Sequence, residues 1–165
     1  MQPKISIVTI TFNSENTVEE TIKSVISQDY SNLEYIIIDG ASTDRTLEVV
    51  NKYRDRIARI VSEPDKGISD AFNKGIRYAT GDVIGIINSD DILLPGALQA
   101  VAAAYEEGVG VYRGNICTGN HQKLFFELLS FFFAHLIAID FLNQRLAQFF
   151  LHLRRRFLRE GNRQN

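Results

Sequence analysis

A chain of 165 residues is long enough to bury the core of one domain. Apolar residues make up 45% and charged residues 23%, as in ordinary globular proteins, and the single cysteine, Cys117, excludes an internal disulfide or a cysteine-based metal site. The net charge of −2 argues against a nucleic-acid partner, and none is expected.

The chain opens without the basic leader and small-residue cleavage site of a secretory signal, so a cytoplasmic location is expected. Residues 4–12, KISIVTITF, form a β-branched run that reads as a buried strand. Asn13 and Ser14 are candidate caps for a helix over 15–28, in which Val18, Ile22, Val25 and Ile26 share a face and Glu15, Glu19 and Glu20 suit the positive end. A second strand covers 33–38 and ends at Asp39-Gly40. Ser42 or Thr43 then caps a helix running through Leu47, Val50 and Tyr53. A third strand follows at 57–61 and a helix at 67–79, with Ile68, Ala71, Phe72 and Ile76 on one side. The fourth strand, 82–87, leads into Asn88-Ser89-Asp90-Asp91, and Pro95 suits the start of another helix.

Strands alternating with helices imply an α/β fold, a parallel sheet built with right-handed crossovers. Ligands bind at the carboxyl ends of such strands. In this sequence those ends carry Thr11-Phe12-Asn13, Asp39-Gly40, Glu63-Pro64-Asp65-Lys66-Gly67 and Asn88-Ser89-Asp90-Asp91.

Asp90 and Asp91 are two adjacent carboxylates after a buried strand, a costly arrangement unless something positive binds there. A Mg²⁺ or Mn²⁺ ion with a diphosphate would resolve it, since such ions take one or two carboxylates plus phosphate oxygens. A helix cap is the other reading, and Asp-Asp by itself does not separate the two. Asp39 can accept N–H donors from a nucleobase or start a turn with Gly40. Phe12 can stack on a base, although taken singly it reads as the last core residue of its strand. Gly67 leads into a helix whose first N–H groups can meet anionic oxygens, and Lys66 adds a positive charge. Asp70 and Asn73 lie three apart on one helical face, which an ordinary solvated helix would also explain. Neither GxxxxGK[ST] nor GxGxxG occurs, which weighs against ATPase and dinucleotide chemistry.

Taken together, TFN at 11–13, IDGASTDRT at 38–46, EPDKGISDAFNKG at 63–75 and NSDD at 88–91 resemble the inverting family 2 glycosyltransferases of the GT-A fold. The subgroup concerned reads roughly TxxN, IDGxSTDGT, EPDxGIYDAxNKG and NxDD, and the likeness covers about residues 1–100. It implies a GT-A Rossmann-like sheet flanked by helices, followed by a helical C-terminal segment. It implies a nucleotide-diphosphate-sugar donor, a glycan or lipid-linked acceptor, and transfer to a hydroxyl with inversion, in cell-surface polysaccharide or lipid-linked glycan assembly. By the same resemblance Thr11, Phe12 and Asn13 line the donor pocket and Asp39 contacts the base or ribose. Lys66, Gly67, Asp70 and Asn73 face the sugar-phosphate side. Asn88 and Asp90 belong to the DxD-type element, with Asp91 and Asp90 as ligands of Mn²⁺ or Mg²⁺. Three positions depart from the pattern. Gly40 stands where many members have a second acid, leaving the base contact weaker or differently arranged, Arg45 replaces a glycine, and Ser69 replaces a tyrosine.

Beyond about Tyr112 the likeness fades, which divides the chain into a donor-binding core at 1–112 and a divergent segment at 113–165. Residues 1–144 carry 12 Lys and Arg against 19 acids, a charge of −7, whereas 145–165 carry six Arg against one acid, a charge of +5. Nine of the eleven Phe lie at or beyond Phe125, and that bias fixes the boundary. The apolar stretch 124–142, interrupted by Glu127, His135 and Asp140, reads as a buried helical hairpin or as an amphipathic element on a membrane surface. Arg154, Arg155 and Arg156 fit the second reading, a peripheral contact at the inner face of a membrane, and equally a solvated basic helix end. Inverting transfer needs a carboxylate base. Glu127, Asp140 and His121 offer no convincing motif for it, so the base is unassigned. The alternatives to an enzyme are a non-catalytic module that binds a nucleotide sugar or a membrane partner, and a membrane-surface interaction protein with no nucleotide affinity.

Overall fold

The computed structural model describes residues 2–107, 111–113 and 127–130. The expectations for Cys117, His121, Asp140, the arginine cluster and most of 124–142 lie outside the described residues.

Seven buried residues in a row make β1 (Ile5–Thr11), and β2 (Leu33–Asp39) is similarly buried through its second half. Continuous apolar runs of this kind belong to strands covered on both faces. β3 (Arg59–Ser62) and β4 (Val83–Asn88) complete a parallel set in which β1 pairs with both β2 and β4. The helices are α1 (Val18–Ile26), α2 (Thr46–Asn51), α3 (Ile68–Tyr78) and α4 (Ala97–Ala104). Two further strands, β5 (Val111–Arg113) and β6 (Glu127–Ser130), extend the sheet to the order β3-β2-β1-β4-β6-β5. Both are antiparallel additions, β6 to β4 and β5 to β6. A strand within 124–142 differs from the helical reading of that stretch. Glu-Leu-Leu-Ser is too short for periodicity to separate helix from strand, and the open edge of β4 decides it.

The sheet divides the core in two. On one face Ile5, Ile7, Tyr35, Ile37, Val83 and Ile87 pack under Val18, Ile22 and Val25 of α1, Val49 and Val50 of α2, and Leu98 and Val101 of α4. On the other, Val8, Ile10, Ile36, Ile38 and Ile84 meet Ala71 and Ile76 of α3. A side chain at Gly75 would overlap Val8, so this glycine lets α3 lie close against β1. The result is a three-layer α/β/α domain with α3 alone opposite the other three helices. Among the described residues no helix is long and apolar enough to cross a membrane.

At the amino ends of the strands a single carboxylate ties three segments together. Glu34 accepts hydrogen bonds from Lys4 Nζ at 2.8 Å, Ser6 Oγ at 2.5 Å, and Thr80 N and Oγ1, each at 2.7 Å. Burial opposes its ionised form, but the donors from Lys4, Ser6 and Thr80 overcome that and hold the carboxyl at about 2, against an ordinary 4.5. A depressed carboxylate contributes stability that is complete above its unfolded value and lost as pH falls through its folded value. Glu34→Gln should therefore melt at a lower temperature than the parent near neutrality. The gap should shrink between pH 4.5 and about 2. Parallel thermal melts across that range check it, and a gap independent of pH would count against the assignment.

Candidate functional site

Strand order reverses between β1 and β4, since β2 and β3 lie to one side of β1 and β4 to the other. A crevice opens at the carboxyl ends of strands on either side of such a reversal. Thr11 lies opposite Asp39, Asp39 opposite Ser62, and Asn88 opposite Ile10, so all four carboxyl ends meet at one rim. The Ser14 and Ser89 hydroxyls hydrogen-bond each other at 2.8 Å, bridging the loops that follow β1 and β4.

The β1 and β2 loops are fastened to each other. Asn13 Oδ1 accepts the Thr43 N–H at 2.9 Å, and Asn13 N donates to Ser42 Oγ at 2.8 Å. Ser14 N donates to Thr46 Oγ1 at 2.7 Å, and Glu15 N to an Asp44 carboxylate oxygen at 3.1 Å. Asn13 and Ala41 both have positive φ, at 48° and 63°, the left-handed region that L-residues rarely occupy. Neither Asn13 nor Ser14 caps α1, whose N-cap is Thr17. Asn13 is a brace between loops, a role invisible to a search for local caps.

Asp39 takes up the turn-holding role, one of the two expected for it. It is 0% exposed, and its carboxylate accepts Ser42 N at 3.0 Å, Ser42 Oγ at 2.5 Å and Ser62 Oγ at 2.6 Å. Alternation along β2 places it with Tyr35 and Ile37, on the side of the sheet covered by α1 and α2. Its carboxylate holds the 40–43 turn and β3 together. Thr11 is 5% exposed on that same side, and its Oγ1 has no hydrogen-bond partner. Phe12 differs from its expectation. Read singly as a core residue, it is 60% exposed, because it is the first residue past the strand and turns out of the sheet.

The loop before α3 is held from beneath. Lys74, buried in the helix, donates to Pro64 O at 2.7 Å and pairs with Glu63 at 3.1 Å and Asp70 at 3.5 Å. Asp70 also accepts the Lys66 N–H at 3.1 Å, and that backbone donor, ahead of the Lys74 charge, keeps its carboxyl below the usual range. Asp70 thus shapes the loop, much as Asp39 does. Asn73 Oδ1 is buried and unpartnered. Gly67 has φ 109° with nothing within 4 Å of where a Cβ would stand, so backbone conformation alone demands glycine at this position. The Lys66 ammonium is exposed and makes no ion pair among the described residues.

Asp90 and Asp91 carry the electrostatic signature of the rim. Asp91 is 9% exposed and takes one hydrogen bond, from Asn88 Nδ2 at 3.0 Å. Asp90 is exposed. Among the described residues neither pairs with a Lys or Arg, whereas Glu34, Glu63 and Asp70 all do. Two neighbouring carboxylates without a cation suit Mg²⁺ or Mn²⁺, which fill out their shell with phosphate and water. Among the described residues no cluster of three or more protein ligands is present, so these residues would supply only part of the coordination. Glu127 opens β6 opposite Ile86, near the same rim, by register.

Comparison with known proteins agrees with this geometry. The family model for glycosyl transferase family 2 matches residues 6–161. The GalNAc(5)-diNAcBac-PP-undecaprenol beta-1,3-glucosyltransferase of Campylobacter jejuni is 35% identical over 130 residues, 74% of this chain and 42% of that one. The chain spans about two fifths of the length of this and similar curated relatives. Among solved structures, the mannosyltransferase PcManGT of Pyrobaculum calidifontis, in complex with GDP-Man and Mn²⁺, aligns with a TM-score of 0.63 at 28% identity. That alignment covers 71% of this chain and 36% of PcManGT. S. aureus TarS 1-349 in complex with UDP-GlcNAc gives 0.56 at 30%, over 61% and 30% of the two chains. The fold is therefore GT-A.

Removing the Asp39 carboxylate leaves buried donors from Ser42 and Ser62 unmet. Asp39→Ala should lower the free energy of unfolding by about 2–3 kcal/mol. Asp39→Asn should cost less, because serine hydroxyls can turn to accept. Urea unfolding measures both, and faster amide exchange at Ser42 and Thr43 should accompany the loss. An undisturbed Asp39→Ala protein would contradict this bracing role.

Proposed function

Because the chain belongs to glycosyl transferase family 2, we propose that its carboxyl rim binds a nucleoside-diphosphate sugar with a divalent cation and that the sugar passes to a hydroxyl acceptor with inversion. The observation that carries this reading is the pair Asp90–Asp91, without a cationic partner among the described residues and next to the Ser14–Ser89 bridge at the strand-order reversal. The nucleotide-sugar complexes of PcManGT and TarS support it, since each aligns with this chain at a TM-score above 0.5.

In this reading Asp91, steadied by Asn88, is the first metal ligand and Asp90 the second. When bound, Mn²⁺ or Mg²⁺ neutralises the diphosphate and stabilises the charge it takes on in leaving. Lys66 and the first N–H groups of α3 lie toward the anionic oxygens, drawn by the positive end of the helix. Phe12 offers its exposed ring to the base, while Thr11, Asn13, Asp39, Asp70 and Asn73 form the wall behind these groups. The acceptor we propose is a glycan, free or carried on a lipid, in keeping with the undecaprenol-linked name of the C. jejuni relative. With such an acceptor the chain works at the inner face of a membrane, and the arginine-rich end is its proposed contact there.

Calorimetry with a nucleoside diphosphate tests the donor site. Binding should require Mn²⁺ and vanish in chelator, and Asp91→Ala should weaken it by about tenfold or more, as expected for loss of a metal-ligand carboxylate. Undiminished affinity of Asp91→Ala in Mn²⁺ would overturn the assignment. Transfer is separated from binding by turnover, because only an enzyme releases the diphosphate faster once an acceptor is added.

A further inference from the structure

We propose that Asp65 reads the nucleobase, and that it selects a base with one ring N–H set between two carbonyls, namely uracil or thymine. This rests on the proposed donor site and names the class of donor. Many members of the wider family place a second acid directly after the one at Asp39, where this chain has Gly40. A Cβ added at Gly40 would lie 2.5 Å from Asp65 Oδ2 and 3.4 Å from Phe12 Cδ2. The space that a side chain at position 40 would fill is thus taken by a carboxylate from the loop after β3, with the Phe12 ring beside it.

The carboxylate is oriented. Asp65 Oδ1 accepts the Gly67 N–H at 2.8 Å, and Oδ2 has no hydrogen-bond or ion-pair partner among the described residues. Phe12, 60% exposed, supplies an apolar face on which a base can stack. Asp39, the acid that ends β2, is fully buried and committed to Ser42 and Ser62. One available acceptor oxygen beside an aromatic ring matches a single N–H donor. The N3–H of uracil or thymine provides that. Cytosine and adenine offer an exocyclic amino N–H instead, and that donor brings the neighbouring N3 or N1 lone pair against the carboxylate. Guanine offers two adjacent donors, N1–H and an N2 amino N–H, and the second would have to share Oδ1 with the Gly67 N–H.

The test is calorimetry of the full chain with UDP, CDP and GDP in Mn²⁺, for the parent, Asp65→Asn and Gly40→Ala. The parent should bind UDP about tenfold or more tightly than CDP or GDP, because an unpaired polar edge is strongly rejected. In Asp65→Asn the amide oxygen keeps the Gly67 N–H and the NH₂ group takes the place of Oδ2, so a donor replaces an acceptor. UDP should then weaken, CDP should strengthen, and their order should reverse. Gly40→Ala displaces the Asp65 carboxylate and should weaken UDP without strengthening CDP. If Asp65→Asn leaves the UDP-to-CDP ratio within about twofold of the parent's, this assignment falls while the donor site stands. A parent that binds GDP or CDP as well as UDP overturns it too. If the parent binds no nucleoside diphosphate in Mn²⁺, the donor site falls and base selection by Asp65 with it.

Discussion

Right-handed crossovers between parallel strands leave helices on both faces of a sheet only if the strand order reverses, and in this chain the reversal lies between β1 and β4. From that constraint the rest follows. It puts α1 and α2 on one face and α3 on the other, and it brings the loops after β1 and β4 together without a helix between them. The Ser14–Ser89 hydrogen bond is the local sign of that meeting. The residues of the candidate site lie at the strand ends of this one edge, on the loops that follow them and on α3, while the Glu34 network braces the opposite edge.

Acids at the rim divide into two kinds by what they bind. Asp39, Asp44 and Asp70 spend their oxygens on backbone N–H groups and serine or threonine hydroxyls, or on Lys74. They convert loops that would otherwise be mobile into fixed surfaces, and the entropy cost of that order is met by charge-assisted hydrogen bonds. Asp65 is half committed, through Gly67. Asp90 and Asp91 have no cationic partner among the described residues, and Asp91 is nearly buried. An uncompensated pair of carboxylates in that setting raises the affinity of the rim for a cation. Structural acids hold the rim in shape, and the unpaired ones give it a charge to be answered.

Much of this was legible in the sequence because it depends on period and punctuation. The run KISIVTITF and the run DVIGII could only be covered strands, and the residues at their ends had to share a rim. Strand alternation likewise exposed α3 as the helix after Gly67. What could not be read was direction. Asp39 and Asp65 both sit at strand ends in acidic surroundings, yet one turns under α1 and the other stands over Gly40, a difference set by contacts far away in sequence. Phe12 looked like core because its strand is core, and one residue past the last ladder bond it faces outward. Asn13 looked like a cap and proved to be a cross-loop brace, since its partners are 30 residues distant. The strand β6 was hidden for a similar reason: four residues have too little pattern to declare themselves without β4 beside them.

The central claim is that a divalent cation and a nucleoside diphosphate meet at the β1/β4 crevice. The most direct measurement is paramagnetic broadening of backbone amide resonances when Mn²⁺ is added to the protein with a saturating nucleoside diphosphate. The account predicts the strongest broadening at Ser89, Asp90 and Asp91, with weaker effects at Phe12–Ser14 and around Gly67, and none near Glu34. Broadening centred on any other part of the sheet, or none at all, would contradict it.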